Sequence, residues 1–311
     1  MINTSQSWFD PAWNYRRVVT ISNSGLSALT DYQVQITLSS SFDFANAKSD
    51  GSDIRATAAD GMTLIPFWIE AWTPGTQQGS IWVNVPTIPV GGTTVFLYYG
   101  NPNAVIIGNN PDAVFSFYDG FDGTSLDGSK WSLANGNSSQ AVEAGGQLTL
   151  TGTLSSFVRI MGQQTFGMDY IVEARGRHPQ QGVLNMVAEV GFIDAYFGDT
   201  VRIVDDFPPS LPTSTSIWNR QVRLSGQPDV NWNAMAQVAD DQWHIFSVYR
   251  RSPNVAGFQI DENPVEEVSS NVPTSNLPVF LMSYTEGSNN QFIVDWVRVR
   301  KFAYPEPVAT L

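Results

Sequence analysis

The sequence predicts an all-β protein of two domains, a β-sandwich followed by a jelly roll of two packed sheets. Three observations carry this. Apolar residues alternate at period two along most of the chain, and helical periodicity is nearly absent. Clusters of Gly, Pro, Asn and Asp cut the alternating runs into short lengths. The chain has 311 residues, 42% of them hydrophobic, which is enough for two cores.

The first elements are read in order. Tyr15–Ser22 is a strand, and Asn23-Ser24-Gly25 a turn. Tyr32–Leu38 places Val34, Ile36 and Leu38 on one face. Thr63–Glu70, Gly79–Val85 and Thr93–Tyr99 follow, with Asp60-Gly61 and Gly91-Gly92 as hairpin signals. This spacing suits a sandwich of about seven or eight strands over residues 8–105. Punctuation at Gly100–Ala113 marks a boundary. A second domain is expected over 113–304, with strands at Phe115–Phe121, from Trp131, and at Gln147–Thr151, Phe157–Met161, Tyr170–Arg177 and Val183–Phe192. Others are expected at Ile217–Leu224, Trp243–Arg250, Ala256–Ile260, Val279–Ser283 and Phe292–Lys301. About a dozen strands of this kind suit a jelly roll. Residues 305–311, with Pro305 and Pro307, read as an extended tail.

Composition narrows the function classes. The net charge is −13, yet only 14% of residues are charged, so the surface is mostly uncharged and polar. Nucleic-acid binding is excluded as an expectation, because phosphate neutralisation needs clustered Lys and Arg. The absence of Cys removes disulfides, thiolate metal sites and Cys catalysis. No apolar run is long enough to span a bilayer. Residues 1–7 have neither a basic n-region nor an apolar h-region, so no signal peptide is expected in this chain. The C-terminus carries no anchor motif.

Two resemblances rest on particular residues. The first half carries Trp13-Asn14-Tyr15-Arg16-Arg17, Leu29-Thr30-Asp31-Tyr32-Gln33-Val34 and Gly51-Ser52-Asp53-Ile54-Arg55. It continues with Pro66-Phe67-Trp68-Ile69-Glu70, Ile81-Trp82-Val83-Asn84-Val85-Pro86 and Tyr98-Tyr99-Gly100-Asn101-Pro102. Together these resemble the domain of unknown function 2341. That resemblance implies an extracellular, multidomain, often adhesive protein and no particular chemistry. The second half opens with Phe117-Tyr118-Asp119-Gly120-Phe121, Leu126-Asp127 and Lys130-Trp131, and closes with Val294-Asp295-Trp296-Val297-Arg298-Val299-Arg300. It is similar to the first and last strands of concanavalin A-like (laminin G-like) domains, laminarinase- and lichenase-type hydrolases among them.

Catalytic residues are not expected. Those hydrolases carry Glu-x-Asp-x-Glu on one strand, which sets two or three carboxylates along one face. No such run occurs here. Glu189 and Asp194 are five apart, so a strand would put them on opposite faces. Asp261-Glu262 and Glu266-Glu267 flank Pro264 in what reads as a solvated loop or hairpin. His178 and His244 lack zinc-motif spacing and read as structural. The resemblance implies a structural calcium held by Gly120 (or Asp119), Gly146 and Asp295. In the plainer reading Asp295 caps a loop or pairs with an arginine. Trp13, Trp68, Trp82 and Trp131 fall in strand patterns and read as core. Trp232, in what reads as a polar loop, Asp229-Val230-Asn231-Trp232-Asn233, is the candidate for stacking on a sugar, with Asn231 and Asn233 binding hydroxyls. A rim contact is its plainer role.

The expectation is therefore a non-catalytic module of the cell or virion surface, outside the cell. It would bind a polysaccharide, a glycoprotein surface or neighbouring subunits. A fibre or decoration component of a virion or filament is the alternative, and a divergent glycosidase ranks third.

Overall fold

The computed structural model describes residues 8–154, 156–179, 186–194, 198–205, 217–227, 230–285 and 289–311. They form an almost purely β chain that divides into two compact units, residues 1–116 with 303–311, and residues 117–302. No helix among the described residues is long and apolar enough to cross a membrane.

In the first unit the strands are β1 (Tyr15–Ser22), β2 (Leu29–Leu38), β3 (Arg55–Thr57), β4 (Phe67–Thr73), β5 (Gln78–Ile88) and β6 (Thr93–Tyr99). One sheet runs β2-β5-β4, and the other contains β1-β6-β3. The alternation expected in β2 is present: Val34, Ile36 and Leu38 are buried, Gln35 and Thr37 exposed. They meet Val19, Ile21, Ile81, Val83, Val95 and Leu97 in one core. The motifs Trp13, Gly51–Arg55 and Tyr98–Pro102 converge in space. Buried Asp53 accepts from Lys48 N (3.0 Å) and Gly100 N (2.6 Å), and its carbonyl accepts from Trp13 Nε1 (2.6 Å). Arg55 donates to the carbonyls of Ser52, Ile54 and Val105. Gly100 has φ +86°, and a Cβ there would lie 2.4 Å from the Tyr15 ring, so only glycine fits. These motif residues tie loops together, which explains their spacing without any ligand.

The second unit contains β7 (Phe117–Asp119), β8 (Trp131–Asn135), β9 (Ala141–Glu143), β10 (Leu148–Gly152), β11 (Val158–Phe166), β12 (Tyr170–Arg177), β13 (Met186–Ile193) and β14 (Thr200–Asp205). It continues with β15 (Ile217–Arg223), β16 (Val230–Val238), β17 (His244–Arg251), β18 (Val255–Ile260), β19 (Glu266–Val268), β20 (Leu277–Thr285) and β21 (Asn290–Lys301). One sheet runs β19-β18-β17-β12-β21-β10-β9, with β7 also on β21. The other runs β16-β15-β14-β13-β20-β11-β8. Between them lies one large core that includes Trp131, Val190, Phe192, Ile203, Trp218, Phe246, Phe258, Leu281 and Phe292.

The extended segment 305–311 carries a short strand. Val308–Thr310 forms β22, antiparallel to β1. Tyr32 Oη donates to Glu306 at 2.8 Å and accepts from Ala303 N at 3.1 Å. The chain thus returns to the first unit after completing the second. Three residues give too little alternation to reveal a strand in sequence.

Charged groups are buried in the second unit with matched partners. Arg250 is fully buried and donates to the carbonyls of Phe166, Gly167, Pro273 and Ser275. Burial holds this guanidinium down to about 10. Glu173 on β12 lies between Arg298 and Arg300 of β21, at 2.6 and 3.0 Å. Burial alone would raise its pKa, but the two guanidiniums prevail and hold it at about 2. A folded-state pKa below the unfolded 4.5 makes the ionised pair stabilising above that pH. The stability is lost as pH falls from 4.5 towards 2, on the order of 3 kcal/mol. Denaturant unfolding should show that acid-side loss, and Glu173→Gln should flatten it. An unchanged slope in the variant would refute the assignment.

Candidate functional site

Strand pairing defines two rows of side chains on the face of the seven-stranded sheet that points away from the core. The first is Asn135, Arg159, Met282, Glu189, Val204 and Asn219, directly opposed across β8, β11, β20, β13, β14 and β15. The second is Met161, Phe280, Gly191, Arg202, Gln221 and Trp232. Their chain neighbours Ala188, Val190, Ile203, Trp218 and Leu281 fill the core instead, as period two requires.

Glu189 stands at the middle of this face and is only 4% exposed. Arg202 Nη1 donates to its Oε2, and Arg202 Nε donates to Gln221 Oε1 at 2.7 Å. Arg159 donates to Asn135 Oδ1 at 2.9 Å and adds a second positive charge near the carboxyl. Burial raises the Glu189 pKa above the usual carboxylate range, and the attraction of Arg202 and Arg159 offsets only part of that rise. Val187, Ile193, Val204, Phe280 and Met282 form an apolar patch around it, bordered by the partly exposed Phe157, Met161, Trp232 and Tyr284. A buried carboxyl whose pKa is raised, fixed by a guanidinium and edged by aromatic rings, can exchange a proton with a bound group.

A second carboxylate two positions along β13 is impossible. That position is Gly191, where an added Cβ would lie 2.2 Å from the carbonyl oxygen of Val201. The sequence reading that no Glu-x-Asp-x-Glu array exists agrees with this geometry. It missed Arg202, Gln221 and Arg159. The signal for Arg202 was available, since Val201-Arg202-Ile203 alternates and places the arginine opposite the core.

The sequence-derived sugar candidates separate. Trp232 lies on β16 and not in a loop, with its ring on the outer face, 5.9 Å from the Arg202 guanidinium. Asn233 pairs with Arg220, so it points to the opposite face and cannot act beside Trp232. The side chain of Asn231 lies outside the described residues. Trp218 is core. Trp243 stacks against Arg175 and Arg177, at 4.6 and 5.3 Å.

The positions expected to hold calcium are brought near one another by pairing of β21 with β7 and β10. The carboxylate of Asp295 accepts from Arg175 at 2.6 Å, the arginine pairing of its plainer reading. A Cβ on Gly146 would sit 3.5 Å from Asp122 Oδ1, so Asp122 is the carboxylate closest to that glycine. Gly120 lies in the same turn, next to the Phe121 amide that donates to Asp119 at 3.0 Å. Among the described residues no group of three or more His, Asp or Glu is arranged to hold a metal.

Both histidines are engaged. His178 is wholly buried, with Nδ1 2.5 Å from Asp205 and Nε2 2.6 Å from Asn290. His244 lies 2.7 Å from Asp261 and 2.8 Å from Asp240.

The family described as a domain of unknown function (DUF2341) matches residues 50–134, which include strands β3 to β6 of the first unit and the opening of the second. None of the curated proteins compared matches the chain. Among solved structures, one from work on endo-acting O-glycanases with which human gut microbiota initiate mucin breakdown has a TM-score of 0.50 and 13% identity, covering 61% of this chain and all of that one. A pseudo β-1,3-glucanase of Mycobacterium tuberculosis has a TM-score of 0.48 and 17% identity, covering 61% of this chain and 99% of that one. A lichenase from a mouse hindgut metagenome has a TM-score of 0.47 and 16% identity, covering 60% of this chain and 99% of that one. The shared feature is the jelly-roll fold, broadly compatible with a concanavalin A-like domain. The expected non-catalytic surface module, its virion or filament alternative, and the expectation that the chain is no enzyme are corrected accordingly: the likeness is to a glycoside-hydrolase fold. That expectation rested on missing sequence motifs, and a motif is only one way to place a carboxyl on a sheet face.

Replacing Arg202 with Met should leave Glu189 buried without its guanidinium. A loss of about 3–5 kcal/mol is expected near neutral pH, shrinking in acid as Glu189 takes up a proton. Chemical denaturation at several pH values measures this, and a pH-independent loss would count against the pairing.

Proposed function

We propose that the second unit hydrolyses a glycan laid across the outer face of the seven-stranded sheet: Glu189 gives its proton to the glycosidic oxygen as the C–O bond breaks, water adds to the anomeric carbon, and the proton that the water releases restores Glu189. The observation that carries this reading is Glu189 itself. It is the central carboxyl of the face, deeply buried, raised in pKa and clamped by Arg202. A carboxyl that keeps its proton to higher pH is suited to protonating a leaving group. The aromatic border of Phe157, Tyr284 and Trp232 supplies ring faces against which pyranose C–H surfaces pack. The polysaccharide partner and a location outside the cell belong to the same reading. The glycan-related names of the structural neighbours are in keeping with it.

The test is release of reducing ends from β-1,3-glucan, mixed-linkage β-glucan and mucin O-glycans. Glu189→Gln should lower the rate by about 10²–10⁴. Activity should fall as pH rises through the raised Glu189 pKa, because the acid form is then lost. Absence of release from every substrate by the unmodified chain would defeat the proposal.

Calcium at Gly120, Gly146 and Asp295 is proposed as a structural clip between the first and last strands of the unit, with the ion competing against Arg175 for Asp295. Calcium at a hundredfold its dissociation constant should add about 2.7 kcal/mol to the stability of the folded chain. Asp295→Ala should abolish that gain. Equal melting temperatures in calcium and in chelator would exclude the ion.

A further inference from the structure

Arg202, Gln221 and Trp232 stand side by side on β14, β15 and β16. Their hydrogen-bond inventory is one-sided. Arg202 gives Nε to Gln221 and Nη1 to Glu189, and makes no other hydrogen bond among the described residues. Its second Nη is therefore an open donor. Gln221 spends its oxygen on Arg202, which fixes the amide so that Nε2 is also an open donor. Trp232 Nε1 is buried and has no partner among the described residues. The row thus carries unpartnered donors on three side chains, one of them a cation, with the Trp232 N–H lying just beneath the exposed surface, while the Gln221 oxygen is already used internally.

A sugar hydroxyl accepts such a bond but brings a proton that itself needs an acceptor. Carboxylate and sulfate oxygens only accept, and they match a charged fork with flanking donors. We infer that this end of the face is a subsite for an acidic group of the glycan, the carboxylate of a uronic acid or a sulfate ester. The inference rests on the reading that the glycan lies on this face. General electrostatic attraction does not provide it: the chain carries −13, so an acidic polymer must be recognised by local donors.

The test is calorimetric titration of the full chain with two matched pairs. One pair is tetragalacturonate and its methyl ester, and the other is a sulfated galactan oligosaccharide and its desulfated form. The acidic member of at least one pair should bind about tenfold tighter or more than its neutral partner, and the pair that discriminates identifies carboxylate or sulfate. Trp232→Phe keeps the ring and removes the N–H. Gln221→Glu exchanges the amide donor for an acceptor. Each should narrow the acidic-to-neutral ratio about tenfold, with melting temperature as the folding control. Equal affinities within both pairs, or variants that leave the ratio unchanged, overturn the subsite. If Glu189-dependent sugar release persists in that case, the glycan reading stands and only the subsite falls. If no probe binds and no sugar is released, both fall.

Discussion

Between the two sheets of the second unit, the ring nitrogens of His178 lie within hydrogen-bond distance of Asp205 on one side and Asn290 on the other. Asn290 in turn donates to the carbonyls of Val187 and Tyr284 and to Ser283 Oγ, so the direction of its amide is fixed. His178 follows β12 and Asn290 opens β21 in one sheet. Asp205 ends β14, and Val187 and Tyr284 belong to β13 and β20 in the other. A polar node at 0% exposure is tolerable only when its members are matched, because an unpaired buried charge costs several kcal/mol. Hydrophobic packing alone would leave the sheets free to slide. The node specifies which strand ends lie opposite, and so sets where the outer face of β13, β14 and β15 is presented.

The outer faces of the two sheets use the same charges to opposite ends. Glu173 lies between Arg298 and Arg300 and is held ionised. Glu189 has Arg202 bonded and Arg159 more remote, and burial prevails. The difference is geometric. Two guanidiniums bonded to one carboxylate outweigh desolvation, and one does not. Environments that push two carboxyl pKa values apart are how one fold separates a structural pair from a group able to move a proton.

In the first unit the residues that carry the resemblance to the domain of unknown function are spent on structure. Asp53, Arg55, Trp13 and Gly100 close loops on one another. Such motifs are legible in a sequence because loop closure demands particular residues at fixed offsets. They say nothing of a ligand, because their polar atoms are already satisfied.

The sequence by itself determined the β class and the period-two faces, since each depends on neighbours a few residues apart. It left open the role of Asp295, which pairs with Arg175, 120 positions away. It read Trp232 as a loop residue, because Asp229-Val230-Asn231-Trp232-Asn233 is polar, whereas pairing with β15 makes Trp232 part of strand β16. Glu189 looked like an isolated carboxylate because its partners Arg202 and Arg159 are supplied by other strands. Only the tertiary structure could decide these points: side chains on one sheet face come from segments distant in sequence, and both burial and pKa are set by what those segments bring together.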